Sequence, residues 1–304
     1  MESLRWDDRP TLRRPVLIAA FEGWNDAGDG ASAAAGYLAR RWGARQFASI
    51  EPEEFYDFTS TRPEVRLEGG LTRALDWPEV TFSCAPLGGT GRDVVLLRGV
   101  EPQLRWRTFA ALTIEVATAL GVELVLTLGA LLAEVPHTRP VRVIGTAANE
   151  ELISRFDLRP SRYEGPTGIL GVLQDAFAKA GVPSASLWAS VPAYVGQTPS
   201  PKATLALVTR LAELLDVDVP TVDLDVAAAS YERQVNEVVA ADEDASAYVR
   251  SLEEVVDTED QFADDEPYEE PDDDEDLIDP ADLPGGDALA AEVERFLRDH
   301  GSTP

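Results

Sequence analysis

Short runs of apolar, often β-branched residues alternate along this chain with longer stretches of helical periodicity. The runs are VLIAAF (16–21), QFASI (46–50), VTFSCA (80–85), DVVLLRG (93–99), VELVLTLG (122–129), VRVIGTA (141–147) and ASLWASVPAYV (185–195). Most are nearly continuous in apolar character, as expected of strands whose sheet is covered on both faces. Between them, residues 29–42, 102–120, 149–155, 167–180 and 201–215 read as helices. In 102–120, Leu104, Phe109, Leu112, Ile114, Val116, Ala119 and Leu120 gather roughly on one side, and Gly121 follows as a stop. In 201–215, Pro201 suits the first helical turn, with a stripe of Leu205, Val208, Leu211, Leu214 and Leu215 behind it. This alternation predicts an α/β domain over residues 1–220, built on a mainly parallel sheet flanked by helices.

Beyond Pro220 no strand pattern follows. Residues 221–256 predict a helical extension, with its helices over 223–256 interrupted near ADEDAS (241–246). Residues 257–286 are too charged and too poor in hydrophobes to fold alone, and read as an acidic disordered linker. The last segment, 287–304, carries Leu289, Val293, Phe296 and Leu297 on an amphipathic helix. That helix either docks on a partner or packs back on its own body.

Charge narrows the function classes. The net charge is −29, yet Asp257 to Asp279 alone hold fourteen acids and no base. Without them the body is still at −15, which opposes binding to a nucleic-acid backbone or an anionic membrane surface. No apolar run approaches the ~20 residues a membrane span needs. MESLRWDDRPTLRRP lacks a signal-peptide core, and the single cysteine, Cys84, excludes an intramolecular disulfide; together they favour a cytoplasmic setting.

Four loops carry candidate chemistry. FEGWNDAGDG (21–30) is a glycine-rich turn between strand and helix, a place that often holds phosphate. Here it contains Glu22, Asp26 and Asp29 but no lysine or arginine, and its spacing fits neither a P-loop nor a dinucleotide fingerprint. Asn25 or Asp26 capping the helix, a cation or hydroxyl-rich ligand on the acids, and a subunit contact through Trp24 all remain open. LGGTGRD (87–93) sets Arg92 beside a second glycine turn, either as an anion site or as a tight connection. EVPHTRP (134–140) places His137 and Arg139 beyond a strand end, where open α/β sheets bind ligands, unless His137 is simply a satisfied loop histidine. Thr167 in RYEGPTGILGVL (162–173) is a candidate N-cap. Trp188 and Tyr194 fit a contact surface and a pocket wall equally. No metal-ligand spacing and no catalytic constellation is present, so neither a cofactor nor a metal is expected.

Taken in order, GWNDAGDGAS, EPQLRW, VPHTRP, YEGPTGILGVL, LWASVPAYV and SPKATLALV make residues 14–256 resemble the proteasome assembly chaperone family. The likeness is to its bacterial, actinobacterial-type branch, related to the second chaperone of the eukaryotic pair. The resemblance implies a phosphorylase/hydrolase-like, three-layer α/β fold with a mixed sheet, akin to purine nucleoside phosphorylases. It brings no catalytic residues with it. Eukaryotic relatives act as a heterodimer on proteasome α-subunits. It therefore implies a non-enzymatic assembly protein, a homo-oligomer such as a trimer, with proteasome subunits or another protein as client. The rival expectation is a small-molecule binder or a hydrolase/phosphorylase-like enzyme with a cleft near His137 and Arg139.

Overall fold

A computed structural model describes residues 3–69 and 72–262. The strands are β1 (Leu4–Trp6), β2 (Val16–Glu22), β3 (Arg45–Ile50), β4 (Glu64–Glu68), β5 (Thr72–Asp76), β6 (Val80–Leu87), β7 (Arg92–Val100), β8 (Leu124–Ala133), β9 (Val143–Ala147) and β10 (Ser184–Pro192). The helices are α1 (Gly30–Trp42), α2 (Trp106–Leu120), α3 (Glu150–Phe156), α4 (Ile169–Lys179), α5 (Pro201–Leu215), α6 (Val222–Ala240) and α7 (Glu243–Phe262).

Eight strands form one sheet in the order β1-β3-β6-β7-β2-β8-β10-β9, and β4 and β5 form a separate two-stranded hairpin. At the centre, β7, β2, β8 and β10 run parallel. Antiparallel β6, β3 and β1 extend one side, and antiparallel β9 closes the other. Five of the eight strands thus share one direction, the mixed and mainly parallel sheet expected.

Period-two alternation divides the central strands between two cores. On β2, Val16, Ile18 and Ala20 face α1 and α5, whereas Leu17, Ala19 and Phe21 face α2 and α4. On β7, Val94 and Leu96 take the first side, Val95 and Leu97 the second. Both faces are therefore dry, which is why these strands read as unbroken apolar runs. The alanine-rich sequence of α1 follows from how closely it is pressed: a Cβ on Gly30 would stand 3.0 Å from that of Ala203 in α5. Gly129 in β8 is likewise required, because the Trp188 ring of β10 occupies the space of its side chain.

A third cluster joins the C-terminal helices to the sheet. Tyr194 and Val195, just past β10, pack with Tyr231, Val235, Val238, Val249 and Leu252 of α6 and α7. Several boundaries differ from the pattern-based expectation. β10 stops at Pro192, and Ala193–Val195 is a 3-10 turn that carries Tyr194 into this cluster. α2 starts at Trp106 rather than near 102, because the amides of Gln103 and Leu104 both bond to Phe55 O (2.9 and 3.0 Å) and Arg105 is left-handed. α7 runs to Phe262, six residues into the stretch expected to be linker, with Asp257 held by Arg139. The rest of that linker and the terminal helix lie outside the described residues.

Phe109 of α2 is fully buried between Phe21 and Phe55, edge-on to each at 5.8 Å. Phe109→Ala is expected to lower the unfolding free energy by about 3–5 kcal/mol, as measured by chemical denaturation at unchanged slope.

Candidate functional site

Because β7, β2, β8 and β10 are parallel, the loops that follow them share one edge of the sheet. GWNDAGDG leaves β2 there, EPQLRW leaves β7, VPHTRP leaves β8 and AYVGQTPS leaves β10. YEGPTG joins them, since Glu101 Oε1 accepts from the Ile169 amide at 2.7 Å and so holds the start of α4. Arg92 lies at the opposite end of these strands. Its guanidinium donates to Glu123 (2.8 Å) and its amide to Thr90 Oγ1 (3.1 Å), tying the LGGTGRD turn to the start of β8. It does not meet the other candidates.

Asp26 is the group that shapes the first loop. Its Oδ1 accepts from the amides of Ala31 (2.7 Å) and Ser32 (3.1 Å), so it caps α1 from inside the turn. It is buried, and burial raises its pKa, with the bonds from Ser32 and Ala31 opposing that shift. Asn25 does not cap. Its carbonyl accepts from the Ala130 amide (2.9 Å), and its Oδ1 is packed against Gly168, where a Cβ would collide with it at 2.0 Å. Asp29 is exposed and left-handed at φ 52°. Gly23, at φ 129°, turns the chain so that Trp24 projects outward with 53% of its surface exposed.

Beside Trp24 lies a groove of about 430 Å³ lined by Gly23, Thr61, Glu101, Gln103 and Trp106. Gln103 braces it, accepting from the Asp57 amide (3.1 Å) and donating to Thr61 Oγ1. Leu104 and Tyr163, on the segments leading into α2 and α4, are exposed as well. Thr167 does not cap α4; its hydroxyl lies only 3.5 Å from Gly168 O, and the capping acceptor is Glu101, sixty-eight residues earlier. That distant acid was not foreseen, since cap signals are sought within a few residues of the helix start.

His137 is buried and fully bonded. Its amide donates to Tyr194 Oη (2.8 Å), its Nδ1 contacts the same oxygen (2.7 Å), and Nε2 faces Asn236 Oδ1 at 3.1 Å. One tautomer satisfies every group: the phenol donates to Nδ1, and Nε2–H donates to Asn236. Around it, Lys202 Nζ donates to the carbonyls of His137 and Arg139 and to Glu232 (2.6 Å). Arg139 grips both oxygens of Asp257 at 2.7 Å and reaches Glu253 at 3.1 Å. The PHTRP segment is therefore the seat on which α6 and α7 dock. Tyr194 is an interior packing group, and Trp188 is half-buried, its ring packed over Gly129 of β8.

Residues 20–239 match the family model described as the PAC2 family. The chain belongs to the PAC2 family. A PAC2 family protein from Streptomyces avermitilis is 49% identical over 77% of this chain and 99% of its own, with a TM-score of 0.73. A proteasome-assembly chaperone homologue from Mycobacterium tuberculosis is 48% identical, again over 77% and 99%, with a TM-score of 0.71. At 17% identity, an archaeal proteasome activator from Pyrococcus furiosus shares the fold at a TM-score of 0.63, over 77% of this chain and 97% of its own. No curated protein matches the chain. Among the described residues, no helix is long and apolar enough to cross a membrane.

The His137 network has a pH signature. Burial lowers its pKa below the ordinary 6.5, and the Lys202 charge acts in the same direction. The folded state therefore binds fewer protons than the unfolded one. Its contribution is complete above pH 6.5 and is lost as pH falls below that value. Asp257, whose pKa is lowered by Arg139, titrates only below its ordinary 3.8, outside this window. Thermal unfolding followed from pH 7.5 to 5.5 is expected to show a falling midpoint in the wild type. The fall should be smaller in His137→Asn, which has no imidazole to protonate.

Proposed function

We propose that this protein is a non-enzymatic assembly or interaction protein of the cytoplasm, acting as a homo-oligomer on a proteasome component. The observation that carries the reading is the division of labour along the carboxyl edge. Of the residues with chemistry to offer, His137 is bonded by Tyr194 and Asn236, Arg139 by Glu253 and Asp257, and Asp26 through Oδ1 by the first turn of α1, while Asp26 Oδ2 and Asn25 Oδ1 are buried without a partner. Trp24, by contrast, stands outward, Leu104 and Tyr163 on the segments leading into α2 and α4 are exposed as well, and exposed aromatics of this kind mark protein contacts. The proteasome-assembly homologue at 48% identity supports a proteasome component as client. A small-molecule site at His137 and Arg139 would first have to displace Tyr194, Asn236 and α7.

The test is affinity capture with purified 20S proteasome α-subunits. Wild-type protein is expected to retain them, and Trp24→Ala to weaken retention about tenfold or more, the scale of an interface aromatic. Failure of the wild type to retain any α-subunit would overturn the client. A thermal shift by nucleosides, phosphates or sugars that His137→Ala with Arg139→Ala abolishes would favour the small-molecule reading instead.

A further inference from the structure

Alternation along β7 calls for an apolar residue where Arg98 stands. Val94 and Leu96 precede it on the face that α1 covers, and Ala20 lies beside it on β2. Arg98 is half-buried there, and its Nε is buried without a hydrogen-bond partner. α1 passes over it with Gly36, a residue that weakens a helix interior relative to alanine. A Cβ at Gly36 would stand 3.4 Å from Arg98 Nη1 and 3.5 Å from Nη1 of the exposed Arg40, so the two guanidinium groups come together where the helix lacks a side chain. Burial and, next to it, the Arg40 charge lower the pKa of Arg98, while Glu22 attracts it from beyond ion-pair range. The neighbouring Arg41 shows the ordinary arrangement, paired with Asp223 and bonded to Tyr37 Oη (2.9 Å). Among the described residues, neither Arg40 nor Arg98 forms an ion pair or a side-chain hydrogen bond.

The adjoining strands add hydroxyls on the same face. Thr81 of β6 is the register partner of Arg98, Ser49 of β3 is the partner of Thr81, and Ser83 follows Thr81 along β6. Ser49 and Ser83 are only 1% and 5% exposed, yet both hydroxyls lack a partner. We infer that this gap between α1 and β7 is a binding site for a small oxyanion of the phosphate class, held by the guanidinium groups of Arg98 and Arg40 beside the hydroxyl-bearing face of β6. Planar guanidinium groups donate in forks that match phosphate oxygens, and hydroxyls can donate to the oxygens that remain. A phosphate group carries about −1.5 to −2 charges at pH 7 and offsets both arginines, whereas one carboxylate offsets only one. The charge of −29 on the whole chain opposes an extended polyanion, so the ligand is a small one. Inorganic phosphate and a phosphomonoester share this chemistry. The site stands independently of the client proposed above.

Calorimetric titration of the full chain with sodium phosphate, in chloride buffer of matched ionic strength, is expected to show saturable binding of one phosphate per chain. Arg98→Gln and Arg40→Gln are each expected to weaken it about tenfold or more, the scale of a hydrogen bond to a charged group. Gly36→Ala keeps both charges and favours the helix, so it tests the gap without loss of folding. It is expected to weaken phosphate binding while the unfolding midpoint stays at or above the wild-type value. Glycerol phosphate separates the two sources: tighter binding than inorganic phosphate supports a phosphomonoester at the site, and weaker binding supports the free ion there. Heats no larger than those of sodium acetate at the same ionic strength overturn the site. So does saturable phosphate binding that neither arginine substitution weakens.

Discussion

Four adjacent parallel strands with both faces buried impose the constraint from which the site follows. A parallel strand cannot be joined to its neighbour by a tight turn, so the chain must cross over before it returns. Every crossover here starts from the same edge, and that edge collects the loops after β2, β7, β8 and β10. The apolar alternation that divides Val16, Ile18 and Ala20 from Leu17, Ala19 and Phe21 thus fixes the cores and also decides which distant segments become neighbours.

Much of this was legible in the sequence. Continuous apolar runs located all of the central strands, and the change of pattern at Pro220 marked where the helices α6 and α7 take over. What was missed had a local signal too weak to compete. In EVRLE and TRALD the apolar residues are few and charges separate them, although alternation around Gly69-Gly70 is the mark of a hairpin. β1 is three residues long and depends on pairing with β3.

The candidate residues divide in the same way. Spacing alone identified the loops that meet, but it could not tell a group aimed at a ligand from one aimed at its own chain. His137 and Arg139 have partners about one hundred residues later, in helices whose docking no local pattern encodes. Glu101 could not be recognised as a cap for α4 because the two are adjacent only in the folded sheet. Arg92 illustrates the reverse case, since its turn resembles those at the carboxyl edge while strand direction puts it at the far end.

Asp26 and Glu101 together alter what the edge can attract. The amino ends of α1 and α4 each carry partial positive charge and free amide hydrogens. In both, a carboxylate of the same chain already fills the position: Asp26 in α1, Glu101 in α4. The helix ends are in effect self-ligated, each with an anion covalently supplied by its own fold. An incoming phosphate would meet a resident carboxylate before it met a free amide. The architecture keeps the geometry of an anion-binding sheet while presenting the opposite sign at these two helix ends, which opposes the entry of a small anion.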